Sequence, residues 1–241
     1  MEKICHLPQP ILQKMVKYML WNMECSHESG KQWAINFFGL ASNFRILLNI
    51  IDEQDGIRKL FNSVSVLPIL ATEEQEILSD DEEYAQRQCI RCVTVALKRY
   101  FEAHLAIKAD QLQRCQDEFQ GNPGLSHYKA MRSSAMQVAN NIETVFNLMP
   151  FKSRWSPVEN FIQLGGVIKC FQIIAIAYDW TFQGRSEMMR AALDVLSICS
   201  ISPRAQLQFC ERIEIPDNAK QVAFNLLLGA CEGEFVHVST K

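Results

Sequence analysis

The stretch 81–119, DEEYAQRQCIRCVTVALKRYFEAHLAIKADQLQRCQDEF, decides the fold class of this 241-residue chain. It contains neither glycine nor proline, and its apolar residues recur every three or four positions. At 100° per residue these positions fall on one arc of a helix, while charged residues such as Lys98 and Glu102 fall on the other side. The stretch therefore predicts one long amphipathic helix. Its apolar arc consists of Ile90, Val93, Leu97, Phe101, Leu105, Leu112, Cys115 and Phe119.

Two polar residues, His104 and Lys108, lie on this apolar arc. Residues four apart are neighbours on a helix surface, and polar groups in an apolar contact require partners or must extend out to water. We therefore predict a structural polar pair whose partners lie on a neighbouring helix. A phosphate-sized pocket in front of Lys108 would instead favour a nucleotide site, because Leu105-Ala106-Ile107-Lys108 resembles the strand motif whose lysine orients ATP in protein kinases.

Shorter helical patterns flank the long one, and glycine, proline or serine separates them. The acidic run 71–83 is typical of a solvated connector that leads into a helix start, since carboxylates favour the positive end of the helix dipole. The stretch 121–132, with Asn122-Pro123-Gly124, predicts a flexible loop. Further helices are predicted over 10–23, 33–51, 57–66, 134–148, from Ser156, over 166–179, 185–199, 203–212 and 217–231.

Two of these helix starts are alike. Asp55-Gly56-Ile57 and Gly165-Gly166-Val167 each follow an apolar helix and place a glycine at the beginning of the next helix. In armadillo repeats a glycine lets a short helix turn sharply into the following one. The pattern predicts an all-α, armadillo-like helical solenoid over 1–241.

Composition narrows the classes of partner. The net charge is −3, and no run of Lys and Arg could neutralise several phosphates, so nucleic acid is not expected. The longest strongly apolar stretch, 173–178, is too short to cross a bilayer, so no membrane is expected. Nine cysteines within apolar helical patterns favour reduced thiols, in nucleus and cytoplasm.

The sharpest metal-site pattern is Cys89-x-x-Cys92, which together with Cys25-x-His27 could supply four zinc ligands. Both Cys89 and Cys92 fall inside the long predicted helix, without the turn that usually presents such a pair. A second correctly spaced pair is also missing. We therefore predict no metal and no cofactor. Hydrolase signatures such as Gly-x-Ser-x-Gly and His-Glu-x-x-His are absent from the sequence.

Several stretches resemble the armadillo-type region of the Vpr-binding-protein (Mahjong) family. The similarity extends from about Leu12 to Phe235, and the stretch 100–108 is its most specific part. The stretches that carry it are WNMECSH at 21–27, LSDDE at 78–82, YFEAHLAIK at 100–108, ALDVL at 192–196 and EGEF at 232–235.

The resemblance implies a non-catalytic protein-interaction scaffold, part of a substrate receptor of cullin-4 RING ubiquitin ligases that acts in protein ubiquitination. Implied partners are ligase components or substrates. The family's WD-repeat propeller has no counterpart in this sequence, since no Trp-Asp dipeptide occurs, so the resemblance implies a truncated piece of a larger protein. An atypical serine/threonine kinase activity is also attributed to this region of the family, and Lys108 would be its catalytic residue. Apolar faces at the ends of a cut solenoid favour self-association, and the oligomeric state stays open.

Overall fold

The structure is a computed structural model that describes residues 1–71, 78–116, 124–150, 153–178, 180–215 and 219–232. Over these residues the chain forms twelve α-helices, one 3-10 turn at Pro68–Leu70 and one two-stranded ribbon. The predicted all-α class is confirmed. The helices are α1 Glu2–Cys5, α2 Gln9–Cys25, α3 Glu28–Ala41, α4 Arg45–Glu53, α5 Gly56–Ser65, α6 Asp80–Gln116, α7 Ala135–Leu148, α8 Ser156–Gln163, α9 Gly166–Ala177, α10 Arg185–Cys199, α11 Pro203–Phe209 and α12 Ala223–Glu232.

Helix α6 is the central element, and its 37 residues correspond to a length of about 55 Å. It packs against α3, α5, α7 and α10, and its apolar arc supplies fully buried side chains such as Phe101 and Leu105. Four carboxylates from Asp80 to Glu83 occupy its first turn, where the helix dipole favours negative charge. The acidic residues at 72–77 and the predicted helical residues 117–119 lie outside the described residues.

The predicted single helix over 33–51 is wrong, because the chain forms two helices there, α3 and α4. The break lies at Ser42–Phe44. The Ser42 hydroxyl donates to the Phe38 carbonyl 2.9 Å away, and the Asn43 carbonyl accepts from the Met131 amide 2.7 Å away. The Ser42 bond is also compatible with a continuous helix, but in a continuous helix the Asn43 carbonyl would accept from the Leu47 amide, which here bonds the Phe44 carbonyl instead. The hydrophobic pattern continued across the break because both helices bury apolar residues.

The predicted helices over 203–212 and 217–231 are both too long. α11 ends at Phe209, and Arg212–Ile215 forms strand β1, which pairs antiparallel with β2 at Ala219–Val222. α12 therefore begins at Ala223, six residues later than predicted. The alternating burial of Arg212–Ile215 fits a strand with one buried face, and the two strands are too short for a strong periodic signal.

The two similar helix starts share their backbone geometry. Asp55 precedes α5 with a φ of 54°, and Gly165 precedes α9 with a φ of 74°, so both residues are left-handed. A side chain on Gly56 would lie 2.6 Å from Ile51, and one on Gly166 would collide with the ring of Phe161. α8 and α9 are bent by 67° at this point. No single described helix is long and apolar enough to cross a membrane; α8 and α9 reach that length and composition only as a bent pair.

One continuous hydrophobic core runs through the described residues, from Cys5 near the amino terminus to Leu226 in α12. The stretch 124–134 lacks helix and is held to the junction between α3 and α4. There, the Ile46 amide donates to the His127 carbonyl 3.3 Å away, and Met131 bonds Asn43 as described above. The other part of the predicted loop, 121–123, lies outside the described residues.

Candidate interaction cleft

A cleft of about 380 Å³ opens beside the second half of α6, between the start of α8 and the bend from α4 to α5. The left-handed turn at Asp55 lies at this cleft, and Asp52 in α4, Asp55 itself and Ile57 in α5 all line it. Both charged and apolar side chains face the cleft. Its lining consists of Asp52, Asp55, Ile57, Tyr100, His104, Ile107, Lys108, Gln111, Arg154, Trp155, Ser156, Pro157 and Asn160.

A three-residue polar cluster forms one wall of the cleft. The Tyr100 hydroxyl donates to Asp52 Oδ1 2.8 Å away, and His104 Nε2 lies 3.2 Å from Asp52 Oδ2. The His104 ring also contacts the Tyr100 ring, with centroids 4.5 Å apart. Burial raises the pKa of Tyr100, and the adjacent Asp52 carboxylate raises it further. Tyr100 therefore stays protonated and acts as a hydrogen-bond donor to Asp52.

His104 and Asp52 are in close polar contact, without an aligned hydrogen bond between them. Nε2 is buried, yet it makes no hydrogen bond of good geometry with any described residue. The distance of 3.2 Å still brings the imidazole within range of the carboxylate charge. The predicted residue His104 thus faces a partner on a neighbouring helix, α4.

Lys108 lies one helical turn beyond His104 and is half-buried at the cleft. Arg154, two residues before α8, also lines the cleft and is exposed. Neither side chain makes a hydrogen bond or an ion pair with any described residue. The structure brings His104 and Lys108 to one cleft but places only His104 beside an acidic partner. A stabilising role for the two as a pair stays a prediction.

The carboxylates of the cleft already have partners. Asp52 accepts the Tyr100 hydroxyl and contacts His104, and Asp55 lies 2.7 Å from the guanidinium of Arg58. These interactions leave the positive charges of Lys108 and Arg154 as the uncommitted ones among the described lining residues. The two carboxylates and the two cations of the lining cancel in formal charge, but the cations are the charged groups that a ligand can still pair with.

A second groove lies between α6 and α10, where charges of both signs are interleaved. Lys98 lies 2.7 Å from Asp194 and 3.7 Å from Glu102. Arg91 on α6 pairs with Glu187 on α10 at 2.6 Å. Burial raises the pKa of Glu102, while Lys98 opposes that rise. The ion pairs in this groove therefore join α6 to α10.

The cysteines of the candidate zinc pattern lie in different environments. Cys89 is buried with its thiol 3.7 Å from the Ser63 carbonyl, and burial raises its pKa to about 11. Burial also raises the pKa of Cys92, whereas Cys25 is exposed on α2. Thiols with raised pKa values are poor thiolate ligands and nucleophiles. Within the described ranges, no group of three or more His, Cys, Asp or Glu is placed to hold a metal.

Sequence reasoning missed Asp52, Tyr100 and Arg154 as members of the cleft. Tyr100 could have been found, because Tyr100, His104 and Lys108 follow one another at four-residue steps along a single helix face. Asp52 and Arg154 are far from α6 in sequence. Only the folded arrangement brings them together, and no local pattern signals such a contact.

Comparison with known proteins gives consistent matches. A family model described as the DCAF1 helical domain matches residues 90–240. Protein mahjong of Drosophila melanogaster is 38% identical over 245 residues, which cover 97% of this chain and 16% of mahjong. The DDB1- and CUL4-associated factor homolog 1 of Caenorhabditis elegans is 26% identical over 250 residues, covering 98% of this chain and 14% of that protein. No solved structure gives a significant match.

The protein of the same name from Arabidopsis thaliana is 25% identical over 192 residues, which cover 72% of this chain and 10% of the relative. This chain thus spans less than a fifth of the length of each of these relatives. The family model covers more than half of the chain, and the similarity to mahjong covers nearly all of it. The resemblance first noted in short stretches such as 100–108 is confirmed, and the chain belongs to the DCAF1 helical-domain family.

Proposed function

We propose that this chain is a non-catalytic protein-interaction scaffold, part of a cullin-4 RING ubiquitin-ligase substrate receptor. Family membership is the observation that carries the proposal, because two of the relatives are named as DDB1- and CUL4-associated factors. The partners we propose are proteins of the cullin-4 ligase or its substrates, in nucleus and cytoplasm. The mixed polar and apolar cleft is consistent with protein binding.

We also infer an armadillo-like arrangement of the helices. Its support is the repeated unit in which a short helix, a left-handed residue and a buried glycine precede a second helix, first at α4–α5 and again at α8–α9. Each unit is followed by a longer helix, α6 or α10, and these two helices pack against each other. Stacked three-helix units of this kind present extended surfaces to protein partners.

The kinase alternative has one favourable feature, which is that Lys108 opens onto a cleft rather than pairing with a described carboxylate. A protein kinase also requires that lysine on a strand beneath a glycine-rich loop. Lys108 instead lies inside α6, and the described strands are Arg212–Ile215 and Ala219–Val222. We therefore favour the scaffold.

Affinity purification tests the ligase assignment. The tagged chain is expressed in cells, and DDB1 and cullin-4 in the eluate are quantified against a tagged helical protein of similar size and charge. We expect both ligase components to be enriched with the chain. Recovery of neither component, at equal expression, would contradict the assignment.

Phosphate transfer tests the alternative with the same purified chain. The protein is incubated with radiolabelled ATP and a mixed serine/threonine substrate, beside the Lys108→Arg variant. A scaffold gives the same background labelling for both proteins. Labelling that exceeds background and disappears in Lys108→Arg would establish the kinase activity and overturn the non-catalytic assignment.

A further inference from the structure

We propose that the cleft beside α6 binds an acidic segment of a partner protein, with Lys108 and Arg154 contacting its carboxylates. This inference rests on the proposed scaffold function and specifies the chemistry of one partner. The uncommitted charges described above carry it: the carboxylates of the cleft are already paired, and the two cations are not. Opposite charge on the ligand completes the arrangement.

The placement of Lys108 strengthens this assignment. Lys108 is a half-buried residue that lines the cleft, and long cationic side chains in such positions pack their stems on the protein and leave the ammonium group accessible to a partner. No described residue supplies one. An incoming carboxylate would provide that partner, whereas an incoming cation would meet Lys108 and Arg154 with like charge.

The other lining residues fit a peptide rather than an isolated carboxylate. Ile107 and Trp155 offer apolar surface, and Gln111 and Asn160 are exposed amides that can both donate to and accept from a peptide backbone. The volume of about 380 Å³ lies at the lower end of the range for small-ligand clefts, so the cleft accommodates a few side chains of such a segment. The segment that fits best thus carries acidic residues with interspersed apolar ones.

The two cations belong to different elements of the cleft. Lys108 is part of α6, and Arg154 lies just before α8. The Asp52–Tyr100–His104 cluster keeps the wall beside Lys108 in place, because it joins α4 to α6. Removing both cations therefore removes the attraction without removing the wall.

Fluorescence anisotropy with the purified chain tests the inference. The probe is a fluorescein-labelled peptide, Glu-Glu-Leu-Glu-Glu-Leu-Glu-Glu, and the comparison peptide carries Gln in place of every Glu. We expect the acidic peptide to bind and the neutral one not to. The double variant Lys108→Gln, Arg154→Gln should weaken binding by about tenfold or more. Raising NaCl from about 50 to about 200 mM should also weaken it, because salt screens the attraction.

The matched control is the double variant Lys129→Gln, Arg132→Gln. It removes the same net charge from two exposed residues of the stretch 124–134, whose side chains pair with no described residue. Hydrogen bonds hold this stretch to the junction between α3 and α4. We expect it to change the affinity by less than about twofold. The conservative variant Lys108→Arg should keep most of the binding, and thermal melting should show that all variants are folded.

Equal loss of affinity in both double variants would show attraction to overall charge and overturn the cleft assignment, as would no binding of the acidic peptide. This assay contains no ligase component. Its failure would therefore leave the affinity purification result intact, and failure of that purification would not alter peptide binding by the purified chain. The two proposals can thus fail separately.

Discussion

At the scale of single residues, Asp52 joins α4 to α6 through its contacts with the side chains of Tyr100 and His104. The variant Asp52→Ala leaves the buried Tyr100 hydroxyl without its acceptor and His104 without its carboxylate. We expect a loss of about 1–3 kcal/mol in the free energy of unfolding, since unsatisfied buried donors carry that cost. Urea denaturation measures it. The neighbouring exposed Glu53→Ala is the control, and equal stability of the two variants would contradict the role of Asp52.

The raised pKa of Glu102 predicts that the free energy of unfolding depends on pH. Burial raises its pKa above the ordinary value of 4.5, so the folded chain takes up this proton at a higher pH than the unfolded chain. This group's contribution to stability therefore increases as pH falls from neutral through the raised pKa, and charged Glu102 opposes folding at pH 7. We expect Glu102→Gln to raise the free energy of unfolding at pH 7 by less than about 1 kcal/mol.

Urea denaturation of Glu102→Gln at a series of pH values between about 4.5 and 7.5 checks this sign. Lys98 keeps Asp194 as its partner in the variant, so the ion pair between α6 and α10 persists. The control is Glu143→Gln, which replaces an exposed carboxylate on α7. A variant that is less stable than the parent chain at neutral pH would show that Glu102 stabilises the fold through Lys98.

The sequence predicted that the polar side chains His104 and Lys108 would share one helix face, because helical periodicity specifies which residues share a face. It could not predict their surroundings. The partner of His104 comes from α4, and Arg154 reaches the same cleft from the start of α8. Such contacts join residues about fifty positions apart, and their presence follows from how the helices pack rather than from any local pattern.

At the scale of secondary-structure elements, the two bends predict a contrast between adjacent glycines. Gly166 has no room for a side chain because Phe161 fills that space, whereas Gly165 faces open space in a left-handed conformation. We expect Gly166→Ala to lower stability by about 1–3 kcal/mol through overpacking. Gly165→Asp should cost less than about 1 kcal/mol, because Asp55 adopts the same conformation at the corresponding position.

Thermal melting of the two glycine variants tests this contrast, and each variant has the other as its control. A larger loss in Gly165→Asp than in Gly166→Ala would mean that conformational strain, rather than the packing of Phe161, limits the bend. The corresponding substitution Gly56→Ala should resemble Gly166→Ala, since Ile51 occupies the space beside Gly56.

Helices with a strong apolar periodicity were predicted well from the sequence. The helix break and the strand pair, which depend on local hydrogen bonds, were not. The long α6 and the start of α9 followed from their apolar spacing and their glycines. The break at Ser42–Phe44 involves the bond from the Met131 amide to the Asn43 carbonyl, and the ribbon depends on the short pairing of Arg212–Ile215 with Ala219–Val222. Apolar periodicity does not report either feature, because the residues on both sides continue to face the core.

At the scale of the whole molecule, the helices are unequally anchored to the common core. α9 buries most of its residues, including Phe171 and Ile174, whereas α7 has Val145 as its only fully buried side chain and exposes Met136 and Phe146. α7 packs chiefly along α6. Few buried apolar contacts mean a low free energy for local opening. We therefore expect α7 to unfold locally, while the rest of the chain stays folded, and α9 to unfold only when the whole molecule does.

Hydrogen exchange followed by mass spectrometry measures this difference directly. We expect amides of α7 to exchange at least about tenfold faster than those of α9, because local opening requires less free energy than global unfolding. Val145→Ala should speed exchange in α7 further and leave α9 unchanged, since the truncation removes the main buried anchor of one helix. The control Phe146→Ala alters an exposed side chain of the same helix and should have little effect on exchange. Equal protection of α7 and α9 in the parent chain would mean that the core unfolds as one unit and that α7 gains its stability from contacts along α6.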